Sequence, residues 1–200
     1  ALAQPITLFV SPKESPAGSL PAAAVYDQHK LEAAYALNLM AEIPDLKFKD
    51  SHNLLGFWKE STPASRRTND PEPPPIGEFI RLSVTDKGRE FMSRFCEMPR
   101  DGQSWDIELY ATAPNRVALV ILSESGELPQ NFQRYIFDKD NFNIIPSTDG
   151  RFSVQLGAAN EKRSLKVVIG TKEYAEQQSG GISLVPLTYA LEQNFPNPFN

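Results

Sequence analysis

The feature that most constrains the fold of this chain is a series of short β-type runs. They alternate between apolar and polar residues or consist of β-branched and aromatic residues, and they occupy residues 6–10, 46–49, 79–84, 105–110, 117–122, 135–137, 152–156, 165–169 and 182–185. The 17 prolines in 200 residues favour turns and sheet edges, because proline interrupts both helix interiors and central strands. The pattern therefore predicts an all-β protein.

Two of the runs are the best candidates for core strands. Residues 116–122 (RVALVIL) are almost continuously apolar, so we expect a central strand buried on both faces. Residues 164–170 (SLKVVIG) form a second apolar run bounded by charge and glycine. Between them, FDKDN at 137–141 and STDG at 147–150 contain the residues of tight turns. This spacing predicts an antiparallel β-sandwich, immunoglobulin-like or jelly-roll-like, with long Pro-rich connections.

The segment 29–41 (HKLEAAYALNLMA) is ambiguous between helix and strand. Its Ala, Leu, Glu and Met content favours a helix by intrinsic propensity. Its apolar residues, however, recur at every second position from Leu31 to Leu39, which places them on one face of a strand. We favour a strand because the rest of the chain has the pattern of a sheet.

The same features suggest three regions. Residues 1–30 are interpreted as a linker or an ordered leading segment, residues 31–186 as the β-sandwich domain, and residues 187–200 as a further linker and tail. Inside the domain, residues 59–77 form a second long connection, whose four prolines between 71 and 75 predict an extended backbone.

Composition narrows the possible functions. The net charge is −5 and the 20 basic residues form no stripe, so no nucleic-acid partner is expected. No stretch approaches the ~20 uninterrupted apolar residues that a membrane-spanning helix requires. With one cysteine and two histidines, a thiolate zinc site of the usual kind is not expected, and neither is a metal or other cofactor.

Nucleophilic catalysis has few candidates. His29 and His52 are the available imidazole bases, and neither lies in a recognisable catalytic motif. The flanks of Cys96 (RFCEMP) differ from those of thiol enzymes, so we interpret Cys96 as a half-buried structural residue. No catalytic residue is assigned.

Most glycoside hydrolases use a pair of carboxylates for catalysis. The candidates are Glu72, Asp101, Asp106, Glu108 and Glu124. Asp106 and Glu108 alternate along WDIE, which is typical of the solvent face of a strand, so we favour a structural interpretation over a glycosidase site.

Two segments are rich in oxygen ligands. Asp138, Asp140, Asn141 and Asn143 cluster, but an EF-hand starting at Asp138 would need glycine where Asn143 stands. Residues 49–56 (KDSHNLLG) offer Asp50, His52 and Asn53, and Gly56 is free to take a positive φ. We interpret both segments as turns, with His52 on the surface, and leave metal binding as the less favoured alternative.

Exposed aromatic faces could bind carbohydrate. Phe57, Trp58, Trp105 and Tyr110 are the candidates, and Trp58 and Trp105 are the two we retain as weak ligand-binding candidates. Core packing is the favoured interpretation, since Trp105 alternates with the acidic residues of its run.

The last twelve residues, 189–200 (YALEQNFPNPFN), carry a specific motif. They resemble the opening Y-x-L-x-Q-N-Y/F-P-N-P-F-N of C-terminal sorting domains of the type IX secretion system in Bacteroidetes-type bacteria. The matching residues are Tyr189, Leu191, Gln193, Asn194, Phe195, Pro196, Asn197, Pro198, Phe199 and Asn200. In that family a small β-sandwich directs export across the outer membrane, and this chain stops where the rest of that domain is expected. The resemblance therefore implies that residues 187–200 are a linker and the truncated start of a sorting domain.

The order of short motifs over residues 30–186 is also similar to uncharacterised β-rich regions that precede such sorting domains. These resemblances imply a secreted or cell-surface protein whose partners are the secretion machinery and other domains or subunits of an extracellular assembly. We expect a non-catalytic accessory, adhesion or structural module. The alternatives are a carbohydrate-binding module and an accessory domain of a secreted hydrolase.

Overall fold

The structure, a computed structural model, describes residues 32–146 and 149–184, and these form a two-sheet β-sandwich. The first sheet has the strand order β10-β7-β1-β2-β5, and the second has the order β4-β3-β6-β11-β8-β9. All strand pairs are antiparallel except β2 with β5. The all-β sandwich prediction is confirmed.

The strands are β1 (Ala33–Ile43), β2 (Phe48–Trp58), β3 (Ile80–Asp86), β4 (Arg89–Phe91), β5 (Ser93–Cys96), β6 (Gly102–Ala111), β7 (Val117–Gly126), β8 (Gln133–Asp138), β9 (Asn143–Ile144), β10 (Arg151–Gln155) and β11 (Arg163–Gly170). One α-helix, α1 (Lys172–Gln178), follows β11, and short 3₁₀ turns occupy Pro44–Leu46 and Ala64–Arg66. Among the described residues, no helix is long and apolar enough to cross a membrane.

The segment that was ambiguous by sequence is a strand. β1 lies in the middle of the first sheet, between β2 and β7. Its core-facing residues include Tyr35, Leu37 and Leu39, each at most 1% exposed, and this alternation stabilises the strand against the helical propensity of the same residues. The strand prediction is confirmed for β1, while positions 29–31 lie outside the described residues.

The turn predicted at residues 49–56 is wrong, because these residues belong to β2. The β1–β2 connection comes earlier, at Pro44–Leu46, where Lys47 takes a left-handed conformation (φ 57°). A β-bulge between Asp50 and Asn53 absorbs one extra residue of β2. Gly56 does not use a positive φ. A side chain there would lie 2.1 Å from the backbone oxygen of Tyr35, so close strand packing requires the glycine.

The two core strands differ from expectation in their burial. β7 is central but buried on one face only, with Ala118 and Val120 inside and Ile121 half-exposed outside. β11 is the strand covered on both faces, because α1 packs over its outer side and buries Val168 completely. The near-continuous apolar run of β7 therefore did not indicate burial on both faces. Burial of a strand's outer face depends instead on where α1 packs.

Helix α1 was not predicted. Thr171 caps it by accepting a hydrogen bond from the backbone N–H of Tyr174 (3.2 Å), and Ala175 faces the sheet. The strand predicted at 182–185 is wrong for its described residues. Ile182 instead packs in a small outer cluster with Phe137, Val168 and Ala175.

The long connection between β2 and β3 is anchored to both sheets. Its residues 69–75, which we call the strap, run beside the edge strands β4 and β5. The backbone N–H of Phe95 donates to Asn69 Oδ1 (2.7 Å), and that of Met92 donates to the Asp70 carbonyl (3.0 Å). Because β4 belongs to one sheet and β5 to the other, the strap ties the two sheets together along one side.

Candidate functional site

A group of charged residues, which we call the acid cluster, lies where the strap crosses the edge of the second sheet. It consists of Asp50, Glu72, Arg81 and Glu90. The guanidinium of Arg81 lies 3.5 Å from Glu72 Oε1 and 3.7 Å from Glu90 Oε2, and it also donates a hydrogen bond to the carbonyl oxygen of Pro73. One cation thus serves two carboxylates and the strap backbone.

The position of Arg81 follows from strand alternation. Ile80 and Leu82 point into the core, so Arg81 between them must lie on the opposite face of β3. That face would be solvent in a bare sandwich, but the strap covers it and leaves Arg81 only 8% exposed. A buried guanidinium needs carboxylate partners, which Glu72 and Glu90 supply.

Lys162 extends the cluster on its other side. Its ammonium lies 2.8 Å from Glu90 Oε1 and 2.5 Å from Glu108 Oε2, and 5.2 Å from the centre of the Tyr110 ring. The Tyr110 hydroxyl donates to Glu90 Oε2 (3.1 Å). The hydrogen bonds to Glu108 and Glu90 raise the pKa of Lys162, so this lysine stays charged.

Asp50 joins the cluster from the first sheet. Its Oδ2 accepts a hydrogen bond from the backbone N–H of Leu82 (2.8 Å), on the part of β3 that β4 does not pair with. Burial raises the pKa of Asp50, and the hydrogen bond from the backbone N–H of Leu82 and the positive charge of Arg81 oppose that rise. Asp50 is therefore a cross-sheet connection.

The two glutamates that share Arg81 have opposite protonation tendencies. Burial, together with repulsion from Asp50 and Glu90, raises the pKa of Glu72 to about 7, although Arg81 opposes the rise. Burial also disfavours the charged form of Glu90, but the hydrogen bond and charge of Lys162 lower its pKa below the ordinary value. The cluster can therefore hold a proton on Glu72 while Glu90 is ionised.

The other candidate carboxylates are placed apart from this cluster or at its rim. Glu108 contacts it through Lys162, Asp106 pairs with Lys139 (3.2 Å) and Lys166 (4.0 Å), and Glu124 pairs with Arg134. Asp101 is exposed, and its backbone oxygen accepts a hydrogen bond from Thr171 N–H (2.8 Å). Of the five, Glu72 and Glu108 are the ones brought close to the shared cations.

The oxygen-rich segment at 138–143 is a turn between β8 and β9. Asp138 accepts hydrogen bonds from the backbone N–H groups of Asp140 and Asn141, and Arg163 forms ion pairs with both aspartates. Within the described part of the chain, no three His, Cys, Asp or Glu side chains are arranged to hold a metal ion.

The aromatic candidates lie in the interior. Trp105 is 6% exposed, with its ring 5.7 Å from that of Phe57, and Trp58 is 4% exposed, stacked on Phe95 at 4.5 Å. Neither indole offers an open face for a sugar. Trp105 nevertheless lines one side of a groove of about 330 Å³ between β3, β5 and β6, whose polar rim includes Asp86 and Arg94.

Cys96 is half-buried, as predicted, and burial raises the pKa of its thiol to about 11. This environment disfavours the thiolate that nucleophilic chemistry needs. His52 is exposed, as predicted, and its ring nitrogen Nδ1 is 3.0 Å from Ser51 Oγ. His29 and the sorting-motif residues at 189–200 lie outside the described residues.

Sequence reasoning missed Arg81, Glu90 and Lys162. Arg81 occupies a polar position in the alternating run of β3, where a solvent-facing residue is expected, so its burial had no local signal. Glu90 and Lys162 carry no signal either, because charged residues beside turns are ordinary. No protein-family model, no curated protein and no solved structure matches this chain.

Proposed function

We propose that this chain is a non-catalytic accessory, adhesion or structural module of a secreted or cell-surface bacterial protein. One observation carries the proposal: the charged side chains that offered chemistry by sequence serve to join structural elements. Glu72 joins the strap to β3, Glu108 joins β6 to the residues before β11, and Glu124 joins β7 to β8. Such pairs fix the relative positions of strands.

The proposed location, outside the cell or on its surface, rests on the C-terminal motif at residues 189–200. Its resemblance to the type IX sorting signal supports export, and export makes an extracellular partner or a larger assembly the expected context. The sandwich then serves as a folded unit between the sorting region and whatever precedes it.

The non-catalytic part is tested with the 200-residue chain and a panel of chromogenic glycosides and esters. We expect no turnover above the buffer rate for the parent chain or for its Glu72→Gln and Glu90→Gln variants. The variants remove the acid and the base that the acid cluster would contribute. A parent rate that disappears in either variant would show an enzyme and overturn this part.

The location is tested in a native host that makes the protein. Mass spectrometry should detect peptides from residues 32–184 in the culture medium, or among the peptides that a protease releases from the surface of intact cells. Recovery of these peptides in the cytoplasmic fraction alone would contradict export.

A second candidate, carbohydrate binding, is favoured by the groove beside Trp105 and its polar rim. A glycan array probed with the parent chain and with rim variants Asp86→Asn and Gln103→Ala tests it. These positions lie on the rim, so their substitution leaves the Trp105 packing in place. Binding by the parent that both variants lose would support this candidate, and no binding by the parent would exclude it for the array's glycans.

A further inference from the structure

The strap residue Glu72 has an unusual environment for a carboxylate. Its side chain is 8% exposed, and its Oε2 is buried without a hydrogen-bond partner among the described residues. Its other oxygen, Oε1, lies 3.5 Å from Arg81. A buried carboxylate oxygen with no donor is costly when ionised, whereas a protonated carboxyl carries no net charge.

The charges around Glu72 do not balance. Four carboxylates, those of Asp50, Glu72, Glu90 and Glu108, share the two cations Arg81 and Lys162. Lys162 is already held by Glu90 and Glu108. Among the described residues, Arg81 is thus the cation that remains for Glu72, and it is divided between Glu72, Glu90 and the Pro73 carbonyl.

Each element packed around Glu72 contributes a charged or titratable group. Asp50 comes from β2, Arg81 from β3 and Glu90 from β4, with Tyr110 and Lys162 behind Glu90. His52, two residues from Asp50, is exposed and bonded to Ser51, and in the strap itself Asp70 is bonded to Ser93.

We propose that Glu72 is a proton-operated latch that seats the strap on the sandwich when it is protonated and loosens the strap when it is ionised. The latch controls a defined set of contacts. Near Glu72 these are the hydrogen bond from its own N–H to the Glu90 carbonyl (3.0 Å) and the bond from Arg81 to Pro73. Farther along, they are the bonds from Met92 and Phe95 that cover the edge of β5.

The direction of the pH effect follows from the pKa of Glu72. It is raised from 4.5 to about 7 in the seated strap, so the seated state binds the proton more tightly than the open state. The latch is fully closed below the open-state pKa and weakens as pH rises from there through about 7. Loosening breaks the bonds that the backbone N–H groups of Ser93 and Phe95 make to the strap, and an edge strand that presents such N–H groups can pair with another strand.

Hydrogen exchange by mass spectrometry on the full chain tests the latch. Protection, corrected for intrinsic exchange, is compared at about pH 5.5 and about pH 8.5. We expect peptides covering residues 69–75 and 90–96 to lose protection by roughly tenfold or more at the higher pH. Peptides from β6 and β11 should keep theirs, because they do not touch the strap.

Two variants make the test specific. Glu72→Gln mimics the protonated acid and should give high protection at both pH values. Glu78→Gln, an exposed residue of the same connection, should behave as the parent chain. If Glu72→Gln fails to fold, Asp50→Asn removes one repelling charge and lowers the pKa of seated Glu72, so this variant should lose less protection than the parent chain at about pH 8.5.

Two results would overturn the latch. One is unchanged strap protection in the parent chain between the two pH values, and the other is a Glu72→Gln variant that still loses protection at the higher pH.

Discussion

At the scale of single residues, Ser83 and Ser93 are a matched pair of buried serines. Ser83 is 0% exposed, and its hydroxyl has no hydrogen-bond partner among the described residues. Ser93 is 2% exposed, and its hydroxyl donates to Asp70 Oδ2 (2.7 Å) and accepts from Asp70 N–H (3.0 Å). Hydrogen bonds therefore offset the burial of the Ser93 hydroxyl, but none among the described residues offsets that of the Ser83 hydroxyl.

The Ser83→Ala variant should therefore be as stable as the parent or more stable by up to about 1 kcal/mol, because it removes an uncompensated polar group. The Ser93→Ala variant should lose about 1–2 kcal/mol, because it removes the two buried hydrogen bonds between the Ser93 hydroxyl and Asp70. Urea unfolding at one fixed pH measures both. If the two variants changed the free energy of unfolding by the same amount and in the same direction, the hydrogen-bond partners assigned to the two hydroxyls would be wrong.

Cys96 gives a second residue-scale prediction. Burial raises its pKa to about 11, so little thiolate exists at neutral pH in the folded chain. Alkylation by iodoacetamide at about pH 8 should be at least roughly tenfold slower in the native chain than in urea. Equal rates, after correction for the effect of urea on the reagent, would show that the thiol is open to solvent.

At the scale of elements, Gly56 determines how closely β1 and β2 approach. An added Cβ would lie 2.1 Å from the Tyr35 oxygen and 2.7 Å from the Phe95 ring. Gly56→Ala should destabilise the chain by about 3 kcal/mol or more, because the strand pair must separate. Gly77→Ala is the control, since nothing lies within 4 Å there and its positive φ of 72° costs only about 1 kcal/mol. Thermal or urea unfolding compares the two, and similar losses would contradict the close approach.

The elements show what period-two alternation can predict. It predicts β1 and β3 because the apolar side chains of each strand lie on one face, toward the core. The wrong prediction at residues 49–56 came from turn-forming residue types, which a bulge inside β2 accommodates. Helix α1 is missed because its seven residues are too short for a periodic pattern, and its cap at Thr171 is a single residue.

The acid cluster was predictable only in part, for a related reason. Glu72 qualified as a candidate because it is a carboxylate, but its neighbours come from β2, β3 and β4. Their proximity depends on strand register and on the path of the strap, and neither is encoded in local sequence. Arg81 also stands at a polar position of an alternating strand, as a solvent-facing residue would, so its burial follows from the path of the strap and not from its own sequence context.

At the scale of the whole molecule, the sandwich has one continuous core between its sheets, and Tyr35 lies in it. The Tyr35 ring is 6.3 Å from that of Phe57, the side chain is 1% exposed, and the hydroxyl has no hydrogen-bond partner among the described residues. Burial raises the pKa of Tyr35 to about 12, although the charge of Arg134 opposes the rise. Ionisation of this hydroxyl is thus coupled to opening of the core.

The sign of this coupling predicts alkaline unfolding. Unfolded Tyr35 ionises near the ordinary tyrosine pKa of 10.0, before the folded form does, so the stability it contributes is complete below that pH and is lost as pH rises through about 12. The parent chain should therefore lose stability above about pH 10, and at about pH 11 Tyr35→Phe should retain roughly 1 kcal/mol more of its stability than the parent does. At about pH 8 the two should differ little, because the substitution removes a hydroxyl without a partner. Urea unfolding at the two pH values, read by fluorescence, provides the comparison. A Tyr35→Phe variant with the parent's alkaline slope would mean that other groups drive the transition and that the Tyr35 hydroxyl reaches water in the folded state.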